Sequence, residues 1–200
     1  MDSREAYYQC TNCDNIEKES NWIKDDSNEH KCIECKTVSK KKTWPPKEVE
    51  TMINFILTYD SEAPEYGQIT SVFLSSVLEL LLEELLYTMA FFDLTYNDAS
   101  ILVDALIEAH RGKKQMISLY KKIGYGSFHS SVEDLGYSDF NRKWGEIVKV
   151  RNKVVHGNLN AGNAITQNEI KSTIKEALEV FSKLRNKYNK ETLNYKGAVR

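Results

Sequence analysis

Val72-Phe73-Leu74-Ser75-Ser76-Val77-Leu78-Glu79-Leu80-Leu81-Leu82-Glu83-Glu84-Leu85-Leu86-Tyr87-Thr88-Met89-Ala90-Phe91-Phe92 is the stretch on which the fold turns. Its length suits a bilayer crossing. Its charges do not, because Glu79, Glu83 and Glu84 lie near the middle, and carboxylates without partners are too costly in hydrocarbon. The stretch therefore predicts a long central helix, from about Ile69 to Asp93, apolar nearly all round and buried in a helical bundle.

The rest of the chain agrees with a mostly α fold. Nine glycines and three prolines in 200 residues leave long uninterrupted runs, which disfavours a sandwich of short strands. A hydrophobic share of 41% and a net charge of −2 exclude a disordered chain. Before the central run, Pro46 to Tyr59 carries Val49, Met52, Ile53, Ile56 and Leu57 at helical spacing. Beyond it, a helix is expected from Asn97, carrying Ile101, Leu102, Ala105, Leu106 and Ala109 and stopped by Gly112, then a shorter one over Lys113 to Ile123. Tyr125 to Tyr137 reads as a loop. Ser138 caps a helix that Gly157 ends, Asn158 to Ile165 is a polar loop, and Thr166 with Glu169 forms a capping box for a last helix to about Asn189.

All four cysteines lie near the N-terminus, as Cys10-x-x-Cys13 and Cys32-x-x-Cys35 with eighteen residues between the pairs. Such pairs form two tight turns whose thiolates converge on one tetrahedral Zn²⁺. The competing readings are two disulfides or a redox pair. The start, Met1-Asp2-Ser3-Arg4-Glu5, has no apolar secretory stretch, so a reducing cytoplasmic location and a structural Zn²⁺ are expected. His30 is near enough to compete as a ligand, but four sulfurs already close the shell. Residues 1–40 are thus expected to be a zinc-ribbon or knuckle unit, 41–46 a linker, 47–190 a helical domain and 191–200 a tail.

In the helix from Phe140 to His156, Phe140, Trp144, Ile147, Val148, Val154 and Val155 make an apolar stripe with Arg151 in its middle. A guanidinium there needs a partner, a cleft or an interface, unless its stem packs on the core edge and its head reaches water. His156 stands in the last turn, where Gly157 lets the backbone aim the ring. Arg beside His is a pairing suited to a phosphodiester, one stabilising charge and the other moving a proton. On the central helix, Ser76, Glu79 and Glu83 share a face, where a carboxylate can orient Arg151 or His156, or simply be solvated.

Arg151-Asn152-Lys153-Val154-Val155-His156-Gly157 resembles the signature of the HEPN superfamily, small all-helical domains with an Arg and a His four to six residues apart and a polar residue after the Arg. Ser71-Val72-Phe73-Leu74-Ser75-Ser76-Val77-Leu78-Glu79 is similar to that family's opening bundle helix. The resemblance spans residues 47–190. It implies a metal-independent endoribonuclease, active as a homodimer whose two Arg/His pairs face each other across one RNA cleft. The 2′-OH attacks the adjacent phosphate, leaving a 2′,3′-cyclic phosphate and a 5′-OH. Arg151 then holds phosphate and transition-state charge, His156 transfers a proton, and Asn152 orients the pair or the RNA backbone. A role in prokaryotic defence or as a toxin follows from the same resemblance, as does control by an antitoxin or other regulatory protein. Some members carry a Tyr two residues after the His that a partner nucleotidyltransferase modifies; Asn158 stands there in this chain, so that control is not implied.

Charge is divided unevenly along the chain. Residues 1–110 hold 9 basic and 21 acidic side chains, whereas residues 111–200 hold 18 basic and 8 acidic, a net +10 on the half with Arg151 and His156. That half suits a phosphate backbone. Residues 1–35 hold 4 basic and 9 acidic side chains, so the zinc unit is expected to dock on protein rather than on phosphate. Tyr7, Tyr8 and Trp22 leave base stacking open to it. Two other functions remain open: a non-catalytic dimerisation module whose zinc unit recruits a protein or nucleic acid, and a zinc-ribbon DNA-binding regulator, which the acidic knuckle weakens.

Overall fold

The computed structural model describes residues 6–9, 16–19, 29–40, 42–90, 105–110, 112–123 and 126–198. The N-terminal part holds five short strands: β1 (Ala6–Gln9), β2 (Ile16–Glu19), β3 (Glu29–Lys31), β4 (Val38–Lys40) and β5 (Lys42–Thr43). One antiparallel sheet has the order β2-β1-β5, and β3 and β4 form a separate hairpin. Gln9 pairs with Ile16 and Lys31 with Val38, so each Cys-x-x-Cys pair falls in the connection of one hairpin.

Within the expected linker, residues 42–44 take part in the sheet and the core. Lys42 and Thr43 extend the first sheet by pairing with Tyr7 and Ala6. Trp44 is buried in the helical core, and the Arg185 guanidinium lies 5.1 Å from its ring centroid. A large indole is worth more buried than exposed, so the join is drawn onto the bundle.

Helix α1 (Lys47–Thr58) buries Val49, Ile53 and Ile56, while Leu57 at the expected face's edge is exposed. Helix α2 (Tyr66–Ala90) is the predicted central helix. Leu74, Val77, Leu78, Leu81, Leu82, Leu85 and Leu86 are fully buried because α1 packs on one side and the later helices on the others. Each such Leu contributes about 2 kcal/mol of burial free energy. The expected helix start at Asn97, with Ile101 and Leu102, lies outside the described residues; residues 105–109 are helical.

Helix α3 (Lys113–Lys122) buries Met116, Leu119 and Tyr120. The loop expected over Tyr125 to Tyr137 contains instead helix α4 (Phe128–Asp134). Ser127 caps it by accepting from the Ser130 N–H at 3.0 Å, and Phe128 and Val132, one turn apart, are fully buried. Helix α5 (Phe140–Val155) starts after Asp139 rather than after Ser138. A 3₁₀ turn (Leu159–Ala164) occupies the expected polar loop.

Helix α6 (Gln167–Ala198) opens on the predicted capping box: the Glu169 N–H donates to Thr166 Oγ1 at 3.3 Å and the Thr166 N–H to Glu169 Oε2 at 2.8 Å. Those bonds hold the Glu169 carboxyl below its ordinary range. The helix runs on through the expected tail, because no Gly or Pro interrupts the sequence between Gln167 and Gly197. The rings of Phe128, Phe140, Trp144 and Phe181 lie about 6 Å apart and knit α4, α5 and α6 together.

Candidate active site on the Arg151 helix

Helix α5 crosses α2 so that Arg151 points at the middle of the central helix. Its Nη2 donates to Glu79 Oε1 at 2.8 Å and its Nε to Ser75 Oγ at 3.3 Å. Ser75 and Glu79 are one turn apart on α2 and thus share a face. The guanidinium is 30% exposed and Glu79 25%, so the pair sits at the mouth of a recess, neither buried outright nor free in water. This answers the demand raised by a cation on an apolar stripe: Arg151 has an ionic partner on the neighbouring helix. Of the carboxylate-bearing face singled out on α2, Glu79 makes that contact; Ser76 and Glu83 line a neighbouring cavity of about 600 Å³.

Arg151, Asn152 and Glu79 line a second, shallower cavity of about 450 Å³, closed on its other side by Gly112, Lys113 and Lys114 at the start of α3. Lys113 is the unexpected member. Its Nζ lies 4.6 Å from the Trp144 ring centroid and 3.4 Å from the Asn141 carbonyl oxygen. Burial pushes its ammonium down to about 8. Lys113 and Lys114 belong to the basic half of the chain, but residue order gives no sign that they line a cleft with Arg151.

His156 is the C-terminal cap of α5, and its side chain is exposed. Gly157, at φ +92°, takes the left-handed conformation expected of it. The Gly157 N–H donates to the Val154 carbonyl and the Asn158 N–H to the Lys153 carbonyl, so two of the last carbonyls of α5 are satisfied. The chain is then led back across α2, where Gly67 and Gly162 meet backbone to backbone: a Cβ on Gly67 would lie 2.1 Å from the Gly162 carbonyl oxygen. That contact fixes the height of the turn bearing His156 over α2.

His156 does not line the cavity that holds Arg151 and Asn152. Close to His156 in sequence are two exposed apolar side chains, Val155 at 60% and Leu159 at 54% exposure. Val155, expected on the buried stripe, is corrected to solvent, because α5 is already unwinding from the core at its last residue. Val154, the other distal member, is half-buried.

At the other end of the chain, Cys32 to Cys35 form a tight turn between β3 and β4. The Lys36 N–H donates to the Cys32 carbonyl at 3.0 Å, the Cys32 N–H to the Thr37 carbonyl at 2.9 Å, and Lys36 is left-handed at φ 62°. Cys32 is buried and Cys35 half-buried. Cys10 and Cys13 lie outside the described residues, as does any contact they make. Among the described residues no group of three or more His, Cys, Asp or Glu side chains converges on one point. No described helix is long and apolar enough to cross a membrane, as the carboxylates of α2 led one to expect. No family model matches the chain, and comparison with curated proteins and with solved structures finds no match.

Proposed function

We propose that the chain is a metal-independent endoribonuclease of HEPN type, acting as a homodimer and carrying a structural zinc ribbon at its N-terminus. The observation that carries this reading is Arg151 itself. It is a half-buried guanidinium, oriented by Glu79 and Ser75, that opens on a cleft with Asn152 and two lysines, at the end of the helix that His156 caps. With Nη2 and Nε engaged, Nη1 has no partner among the described residues and is available to a phosphate oxygen.

In this mechanism the ribose 2′-OH attacks the adjacent phosphorus while the bond to the 5′-oxygen breaks. Arg151 takes up charge on the equatorial oxygens, and His156 transfers a proton to or from the attacking or leaving oxygen. Asn152, exposed at the cleft rim, orients the backbone. Exposure of Val155 and Leu159 around His156 supports pairing of two copies through this face, which would bring each His156 toward the shared cleft. The zinc site would use Cys10, Cys13, Cys32 and Cys35. A Zn²⁺ held by four thiolates has no open position and supplies structure rather than chemistry.

The test is cleavage of structured and unstructured RNA by the purified full chain, with mapping of the ends. Wild type is expected to leave 5′-OH and 2′,3′-cyclic phosphate termini, and Arg151→Ala and His156→Ala each to lose at least about 100-fold in rate. Cleavage equal in all three proteins overturns the assignment. A second reading, a non-catalytic dimerisation module, is favoured by one observation, the separation of His156 from the Arg151 cavity. It predicts dimers and partner binding with no RNA cut by any of them.

A further inference from the structure

The cavity between α3 and α5 contains more cationic machinery than an Arg/His pair requires. Lys113 and Lys114 occupy the first turn of α3, where the helix dipole disfavours cations, and no acidic side chain accompanies them. Lys113 is also withdrawn from water over the Trp144 indole. The Trp144 ring and the Asn141 carbonyl compensate Lys113 in part, but a lysine at an exposed position elsewhere avoids both costs. Both lysines open on the same recess as Arg151 and Asn152. The Lys113 ammonium lies near Gly145, and a helical rise puts Arg151 about 9 Å farther along α5, within the span of a dinucleotide.

We propose that this recess seats the RNA phosphate that flanks the scissile one, with Lys113 and Lys114 gripping it while Arg151 holds its neighbour. The choice of RNA rests on the ribonuclease reading above; the anion site itself does not. Ile117 and Val148 form the apolar part of the wall, which strengthens the attraction by excluding water. An anion seated there favours the charged form of Lys113, so binding near pH 8 draws a proton from solution. The other charged groups that line the recess are Glu79 on α2, Arg151 on α5 and Lys114 on its own helix.

The experiment measures binding of a 2′-O-methyl oligonucleotide, which cannot undergo 2′-OH attack, to the full chain at several salt concentrations and in buffers of different ionisation enthalpy. Lys113→Met and Lys114→Gln are each expected to weaken binding about five- to tenfold and to lower the salt slope by about 0.7 per charge removed. Proton uptake at pH 8 should vanish in Lys113→Met. Lys171→Gln with Lys175→Gln, on the exposed side of α6, removes the same charge outside the recess and is expected to change little. Equal losses in both double variants, or wild-type binding by Lys113→Met with Lys114→Gln, overturn the proposal. If the lysine effects appear but no RNA is ever cut, the anion site stands and the ribonuclease reading falls. Cleavage that is lost in Arg151→Ala but indifferent to both lysines gives the reverse.

Discussion

Arg151 is held by one charge and one hydroxyl, and the two are unequal. Glu79 neutralises the guanidinium, whereas Ser75, almost fully buried, fixes its roll about the side-chain axis. Glu79→Ala should therefore affect cleavage more than folding. The half-exposed cation can be rescued by water, so stability is expected to fall by only about 1 kcal/mol in urea titration, while the turnover rate drops about 10- to 100-fold through misplacement. Glu79→Asp, which keeps the charge on a shorter stem, should recover part of that rate. A drop in stability without a drop in rate would make the pair purely structural. Much of this site was legible in residue order: a cation on an apolar stripe needs a partner, and Glu79 stood on a suitable face. Ser75 was not legible, because a helical wheel gives the face of a residue but not which element crosses it.

At the scale of elements, α3 is the piece whose sequence said least. Periodicity located it but could not say that its first turn overhangs α5. The short helix α4 escaped for a related reason: one apolar pair a turn apart, Phe128 and Val132, is too brief to establish a period, and only the Ser127 cap marks it. Burial of Lys113 has a consequence for stability with a definite sign. Its folded-state value of about 8 lies below the ordinary 10.5, so between those pH values the unfolded chain binds more protons and stability rises with pH. Lys113→Met removes that term. The variant is expected to be more stable than wild type at pH 7, by about 1 kcal/mol once partial exposure is allowed for, with the gap closing above pH 10.5. Thermal melts of the two proteins from pH 7 to 11 read the difference directly. A constant gap across that range would mean that Lys113 is not desolvated.

For the whole molecule, the central question is how the cysteine-bearing hairpins and the bundle depend on each other. Trp44, buried in the bundle, directly follows Thr43 of β5, so no spacer separates the first sheet from the bundle. The core of α2, α5 and α6 is large and contains no cysteine. On the proposal that the four cysteines hold zinc, chelation is therefore expected to loosen the strands before residue 40 while leaving most of the far-ultraviolet helix signal, and Cys32→Ser should do the same. Loss of the helical signal in step with zinc release would contradict this picture. The mostly α architecture was legible because a long apolar run with central carboxylates admits few folds. The helical tail was less so: the lack of Gly or Pro before Gly197 permits a continuing helix but does not require one. The uneven charge remains the molecule's broadest feature, and it places the basic side chains on the same half as the cleft.

The meeting of Gly67 with Gly162 sets the height of the His156 turn by main chain alone. An exposed side chain on the 3₁₀ turn, such as Asn160, can thus change without moving the histidine. The two glycines can change only together with the path of the backbone. The rim of the cleft can therefore vary while that crossing point stays untouched.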